Sequence, residues 1–525
     1  MAALPRALHL NKFSREHLKR LIVSRAFSGV TRTNTISQSD IELYCLRLSF
    51  LYPNKVNYFN DTVYAEEQLY WSQQQQRISP VCRFTPTQAF EVSAAILLVR
   101  ATKCHFAVKS GGHAAFAGAS NIQDGLAIDL SGLSALTLSS NNSILSVGPG
   151  NRWEDVYAFL NPFNLSVIGG RVGDIGVGGL TLGGGISFFS PFYGWACDNV
   201  ANYEVCMMVS KGVLCADRKQ VVLSNGSVVD ANSTSHPDLY FALRGGGNNF
   251  GIVTRFDLET FPHGDMWGGQ VYHPIQTNGS QFEAYHWFAE NSNSDPNGAL
   301  ILTAVGAPGY GFLFANNYEY ARPVENPPMF DNFTSLTNFS STMRITRLPD
   351  LAEELKDAQG YGFRQMYITA TFKNDVQMMK DIFNMWHAAV DSVLMDIADF
   401  VAGLVFQPVT PRVVEKFGKN NGNALGISPD DGSLTIWMMP FQWSNENNDT
   451  FIINTLESIV SRANTIAKSR GLYHRYIYQN YAYISQDVFA GYGPENKARL
   501  LEIQQAYDPE KIFVDSQPGY FKLIE

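Results

Sequence analysis

Three glycine clusters carry the first chemical signal in this sequence. The first is Ser110-Gly111-Gly112-His113. The second begins at Gly169-Gly170-Arg171 and runs through Gly173, Gly176, Gly178, Gly179, Gly183, Gly184 and Gly185. The third is Gly245-Gly246-Gly247-Asn248-Asn249-Phe250-Gly251. Glycine lacks a Cβ, so a glycine loop can present successive backbone N–H groups to phosphate oxygens. One such cluster is an ordinary tight turn. Three in one stretch point to a cradle for a dinucleotide. Neither common kind of cradle is present: there is no G-x-x-x-x-G-K-[ST] loop, and no convincing G-x-G-x-x-G with an acidic residue about twenty positions on. His113 follows two glycines and a strand pattern, which sets it at a loop tip where phosphate and ring system would meet. A histidine without that setting is more often a surface or packed residue. No Cys/His cluster has zinc spacing, and no metal is expected.

Rigid elements must hold these loops. Residues 105–108 read as a strand leading directly into the first cluster, with further strands at 126–130 and 143–147. Residues 87–99 predict a helix with Phe90, Val92, Ala95, Ile96 and Val99 on one stripe, and residues 153–160 a shorter one. Residues 38–77 read as helical, with Leu43, Leu46, Leu48, Phe50 and Leu51 apolar. Beyond residue 265 the texture changes. Residues 367–372 and 434–439 alternate like strands, and residues 375–394 and 454–468 read as long amphipathic helices. An antiparallel sheet covered by helices fits that pattern, so the expected fold class is α+β.

A chain of 525 residues exceeds one ordinary hydrophobic core, so two or more domains are expected. With 45% apolar and 17% charged residues it has ample surface to bury, which excludes extensive disorder. The net charge of −9 argues against nucleic acid as a partner. No apolar run is long enough to span a membrane. Among six cysteines, Cys197 reads as a buried thiol, while Cys45, Cys82 and Cys104 can supply a disulfide if the protein is exported. Nine N-x-S/T sequons, at Asn60, Asn141, Asn164, Asn225, Asn232, Asn278, Asn332, Asn338 and Asn448, lean toward the secretory pathway. The start of the chain does not. Leu21, Ile22 and Val23 are flanked at once by Arg20 and Arg25, so there is no signal-peptide core, and residues 1–33 are basic and acid-poor, like a mitochondrial presequence or a mispredicted first exon.

The glycine clusters sit within longer recognisable stretches: VCRFTPTQAFEVSAAI (81–96), FAVKSGGHAAFAGASNI (106–122), LAIDLSGL (126–133), SVGPGNRWEDVY (146–157), VIGGRVGDIGVGGLTLGGGISFFSPFYGWACDNV (167–200), DLYFALRGGGNNFGIVTRFDL (238–258), YQNYAY (478–483) and YGPENKARLLEIQQAYDPEKIF (492–513). In these the chain resembles FAD-linked oxidases with a vanillyl-alcohol-oxidase-type (PCMH-type) FAD-binding domain, in their fungal berberine-bridge-enzyme-like branch. The resemblance implies an N-terminal extension and helical segment at 1–77, an FAD-binding domain at 78–264, a substrate-binding domain at 265–469 and a closing segment at 470–525. It implies that Ser110, Gly111 and Gly112 wrap the FAD pyrophosphate and that His113 bonds the flavin 8α carbon. Gly173, Gly176, Gly178, Gly179, Gly183 and Gly184 would pass beside the ring and phosphates, Gly251, Ile252 and Val253 would lie against the cofactor, and Asn480 would stand near the ring. The implied chemistry is oxidation of a small organic molecule in fungal secondary metabolism, with hydride passing to the flavin and O2 as reoxidant. Tyr481 and Tyr478 are the candidate bases; acidic residues of the 265–469 segment are alternatives. A monomer is expected.

Two departures from the family pattern matter. Relatives with a second flavin bond carry a cysteine in C-x-x-V-G-x-G-G, where this chain has Val172 followed by Gly173, Asp174, Ile175 and Gly176, so a single tether through His113 is expected. Sixteen extra residues, from Cys206 to Val221, interrupt a predicted strand, as a surface loop or a retained intron. Rival readings are a carbohydrate oxidase, a flavin scaffold for a cyclisation with no net redox change, and a product disabled by the insertion.

Overall fold

The computed structural model describes residues 38–207, 226–357, 360–397 and 399–525, arranged around three sheets. In the first, strand Leu126–Asp129 pairs in parallel with Cys82–Phe84 on one side and Phe106–Lys109 on the other. Parallel strands need a crossover. Helix Ala89–Thr102 supplies it and buries Val92, Ala95, Ile96 and Val99. That is the predicted stripe without Phe90, which is 37% exposed.

Residues 38–77 are not one helical region. Helix Gln38–Leu51 stops short of Pro53, a residue that disfavours helical backbone just before it. Only the short helices Thr62–Glu67 and Gln73–Gln76 follow. The first helix buries Ile41, Tyr44, Cys45 and Leu48, at i, i+3, i+4 and i+7, and leaves Leu43 and Leu46 exposed. A disulfide from Cys45 to Cys82 fastens it to the first sheet; Cys104, Cys197 and Cys206 are buried free thiols.

The second sheet is antiparallel and centred on strand Ile252–Pro262, which pairs with Ile144–Val147, Leu165–Val167 and Val200–Met207. Strand Val200–Met207 also pairs with Ser227–Ala231. Cys206 stands opposite Val228 and Ile252, so the start of the inserted stretch continues this strand. The rest of the insertion lies outside the described residues, as do the sequon at Asn225 and the basic segment 1–33.

The third sheet has nine antiparallel strands. Alternate residues along a strand face opposite sides. One face, with Leu302, Phe406, Trp437 and Met439, packs under helices Asn278–Asn291, Val376–Ala389 and Asp449–Ser469. The last of these begins before the expected residue 454, because Ile452 already belongs to its buried stripe. The other face sends Ile301, Val405, Val409 and Met438 into the core that holds Trp153, Trp195 and Tyr478. Tyr367 and Gln407 share that second face by the same alternation, on strands Arg364–Lys373 and Val401–Val409. The end of the chain ties the parts together: Tyr473–His474 joins the edge of the third sheet, and Asn249 of the third glycine cluster bonds the backbone of Phe521 and Leu523. No helix of the described residues is long and apolar enough to cross a membrane.

Candidate active site

Strand Phe106–Lys109 delivers the first glycine loop directly onto the second. A Cβ on Gly111 would lie 2.6 Å from Cα of Gly176, and one on Gly176 would lie equally close to Cα of Gly111. Only two glycines allow that approach. Ser110 Oγ donates to the Pro149 carbonyl at 2.6 Å and accepts from the Gly178 N–H at 3.2 Å. Gly112 turns the chain at φ +71°, and His113 follows. Gly179, in the short helix Val177–Leu182, faces open space. Gly173 is spent on packing instead, its N–H bonded to the Ala352 carbonyl.

His113 is held on two sides. Its ring stacks on Trp71 with centroids 4.2 Å apart and planes 12° from parallel. Nε2 stands 3.7 Å from Oδ1 of Asp174. Burial pushes His113 down to about 4, with Arg152 acting in the same direction and Asp174 against it. The imidazole is therefore neutral at pH 7. Nε2 of His113 and both carboxylate oxygens of Asp174 are buried without a hydrogen-bond partner. Such orphans are rare in folded proteins and ask for a reason. The other polar neighbours of Asp174 are Arg152, at 3.9 Å, and the Tyr361 hydroxyl, to which Arg152 donates at 2.9 Å.

At the far end of the glycine run stand the C-terminal residues. Gly183 closes on Asn480, whose amide donates to the Leu180 carbonyl at 3.0 Å. The Tyr478 hydroxyl accepts from the Gly185 and Ile186 N–H groups at 3.2 and 3.1 Å and from the Asn480 amide at 3.0 Å, so it pins the turn after Gly184. Burial raises its phenol above the usual range. Tyr481 is differently placed. Its hydroxyl accepts from Arg171 at 2.8 Å and from the Gln407 amide at 3.2 Å. Its ring meets Tyr478 and Tyr367 edge-on, and Tyr367 in turn leans on Trp71. An aromatic wall thus joins Tyr481 to His113. Ile252 and Val253 bury their side chains in the cores, and Gly251 precedes them at φ +149°. Glu319, on strand Gly311–Tyr320 of the third sheet, is a buried acid that interacts with Arg171. Burial raises its carboxyl well above the usual range, Arg171 opposes that, and Oε2 has no partner.

Sequence reading missed Trp71, Arg171, Asp174, Tyr367 and Gln407. Two of them had a signal: Arg171 and Asp174 are the only charged residues between Gly169 and Gly185. Among the described residues no cluster of His, Cys, Asp or Glu could hold a metal ion.

The glycine walls and the orphaned polar atoms of His113, Asp174, Thr181 and Gln479 suit a large polar cofactor with a ring system. Fold and site together define a flavin-dependent oxidoreductase. A family model described as an FAD binding domain matches residues 80–214. The FAD-dependent monooxygenase tpcD of Cochliobolus heterostrophus is 38% identical over 87% of each chain. The FAD-dependent monooxygenase FUP4 of Fusarium proliferatum is 35% identical over 87% of each. The solved structure of Physcomitrella patens BBE-like 1 superposes with a TM-score of 0.71 at 18% identity, covering 92% of this chain and 99% of that one, and so shares the fold. The chain belongs to the family of fungal FAD-dependent oxidoreductases that tpcD and FUP4 represent. It binds FAD.

Proposed function

We propose that this enzyme holds FAD by one covalent bond, from His113, and oxidises a small, largely aromatic hydroxyl-bearing molecule of fungal secondary metabolism, with Tyr481 as base and O2 as terminal acceptor. FAD supplies the two-electron acceptor. The backbone of residues 110–113 and of the run from Gly176 to Gly184 is suited to its phosphates and ring, with Asn480 at the ring's edge and residues 251–253 behind it. Val172 leaves no thiol for a second bond.

The observation that carries the reading is the 2.8 Å contact from Arg171 to the Tyr481 hydroxyl. A guanidinium donating to that oxygen offsets negative charge on it, as a tyrosine acting as base requires. Gln407 fixes the same hydroxyl from the third sheet. Tyr478 holds the glycine turn and positions Tyr481 rather than taking the proton itself. Tyr367 and Tyr481, both half-buried, offer flat apolar surface to a ring-bearing substrate, which favours it over a sugar. Exposed Asn60, Asn141, Asn164, Asn332 and Asn338 are available to glycosylation.

A panel of phenolic and benzylic alcohols assayed for oxygen uptake and peroxide tests the reaction. Peroxide equal to product supports the oxidase reading. Label from 18O2 in the product would instead make it a monooxygenase, the activity for which the fungal relatives are named. Turnover without oxygen uptake would replace redox chemistry with the scaffold reading. A single symmetric sedimentation species would support a monomer.

A further inference from the structure

Asp174 is a buried carboxylate ringed by His113, Arg152 and Tyr361. Its residue is 3% exposed, yet neither carboxylate oxygen has a hydrogen-bond partner. Burying a charge costs several kcal/mol in general unless partners compensate it, and here the one cation facing the carboxylate, Arg152, stands at 3.9 Å. The surroundings make the placement specific. Oδ1 faces Nε2 of His113 at 3.7 Å, and Nε2 is itself buried and unpartnered. A small rotation of the imidazole would close this gap to a hydrogen bond. Trp71, stacked on the ring, confines such motion to the ring plane. Arg152, which also donates to the Gly111 carbonyl at 3.5 Å, and Tyr361 are the remaining polar groups around the carboxylate.

We infer that Asp174 is the positioning residue for flavin attachment: it holds the His113 proton on Nε2, leaving the Nδ1 lone pair to bond the flavin, and accepts the Nε2 proton as that bond forms. This rests on the reading of His113 as the tether. The neutral imidazole implied by the burial of His113 is the form that carries a free lone pair. The bond formed joins Nδ1 to the 8α carbon, and the bond broken is a C–H of that methyl group. Its electron pair is left on the flavin and passes, with the methyl proton and the Nε2 proton, to dissolved O2 as hydrogen peroxide. Asp174 keeps the alkylated ring from becoming an uncompensated buried cation.

The test compares wild type, Asp174→Asn, Asp174→Glu and His113→Ala for covalently held flavin, read by fluorescence of the acid-denatured band, in freshly purified protein and during incubation with added FAD. Asp174→Asn should bind FAD that acid releases and should form the covalent bond about a hundredfold more slowly, with partial recovery in Asp174→Glu. Full and equally fast attachment in Asp174→Asn would overturn the inference while leaving the tether intact. A wild-type band without fluorescence would overturn the tether, and with it this role. If Asp174→Asn does not fold, the linkage in a His113 peptide from wild type decides: a bond at Nδ1 upholds the inference, and one at Nε2 contradicts it.

Discussion

The backbones of Gly111 and Gly176 are in contact, so two loops far apart in sequence form one wall. Arg152 bridges to Gly176 as well, and through its side chain reaches Gly111. This meeting sets where His113 points, because Gly112 and His113 continue from it. Alanine at Gly176 or Gly111 has no flexible neighbour to push aside. Each should cost about 1–3 kcal/mol of stability, as overpacking does, and should lower flavin content. Thermal unfolding and the flavin-to-protein absorbance ratio check this; a fully flavinylated, equally stable variant would show that the loops separate more easily than their contact implies.

Tyr481 and Tyr478 should separate cleanly on mutation. Tyr481→Phe removes the hydroxyl held by Arg171 and Gln407 and should lower kcat by about 10²–10⁴, the usual worth of a general base, with little change in stability. Tyr478→Phe strands the N–H groups of Gly185 and Ile186 and should destabilise by about 1–3 kcal/mol. Steady-state kinetics and denaturant titration on both variants distinguish the two roles. Equal kinetic defects would return Tyr478 to the list of candidate bases. Arg171→Met should resemble Tyr481→Phe in kcat.

The Cys45–Cys82 disulfide closes a loop with a sequence separation of 37. Its removal in a Cys45→Ser/Cys82→Ser variant should cost about 2–4 kcal/mol. Burial pushes Cys104 and Cys206 up to about 12 and raises Cys197 well above the usual thiol range. These thiols should therefore ignore alkylating reagents until the protein unfolds, which mass spectrometry before and after denaturant reads directly.

Acid should weaken the fold through His263. Burial, aided by Arg347, lowers it from 6.5 to about 4. Between those values the unfolded chain takes up a proton that the fold refuses. Stability from this group is complete above pH 6.5, falls as pH drops toward 4, and changes no further below that. The loss should amount to about 3 kcal/mol, and His263→Gln should flatten that part of the stability profile. In protein lacking the flavin bond, His113 adds a slope of the same sign.

The legible parts of this molecule are those in which the chemistry is local. Strand, glycine doublet and histidine are adjacent in residues 106–113, and the run from Gly169 to Gly185 announces close backbone contact by composition alone. Helix Gln38–Leu51 was harder, because Leu43 and Leu46 look like core residues and only packing shows that Tyr44 and Cys45 face inward. Trp71, Tyr367 and Gln407 had no local signal. Trp71 precedes a glutamine run, and the other two are ordinary alternate residues of long strands. Tyr367 and Gln407 reach Tyr481 because the third sheet turns its second face to the glycine run, a long-range consequence of strand pairing, and Trp71 is docked there by the bridge from Ser72 to Phe363.

Denaturing electrophoresis of acid-treated protein under ultraviolet light, with a His113→Ala control, tests the flavin tether most directly. Fluorescence that stays with the wild-type band, is absent from His113→Ala and maps to one His113 peptide is the expected result. Flavin that washes entirely from the wild-type band, or a second labelled peptide, would contradict a single bond through His113.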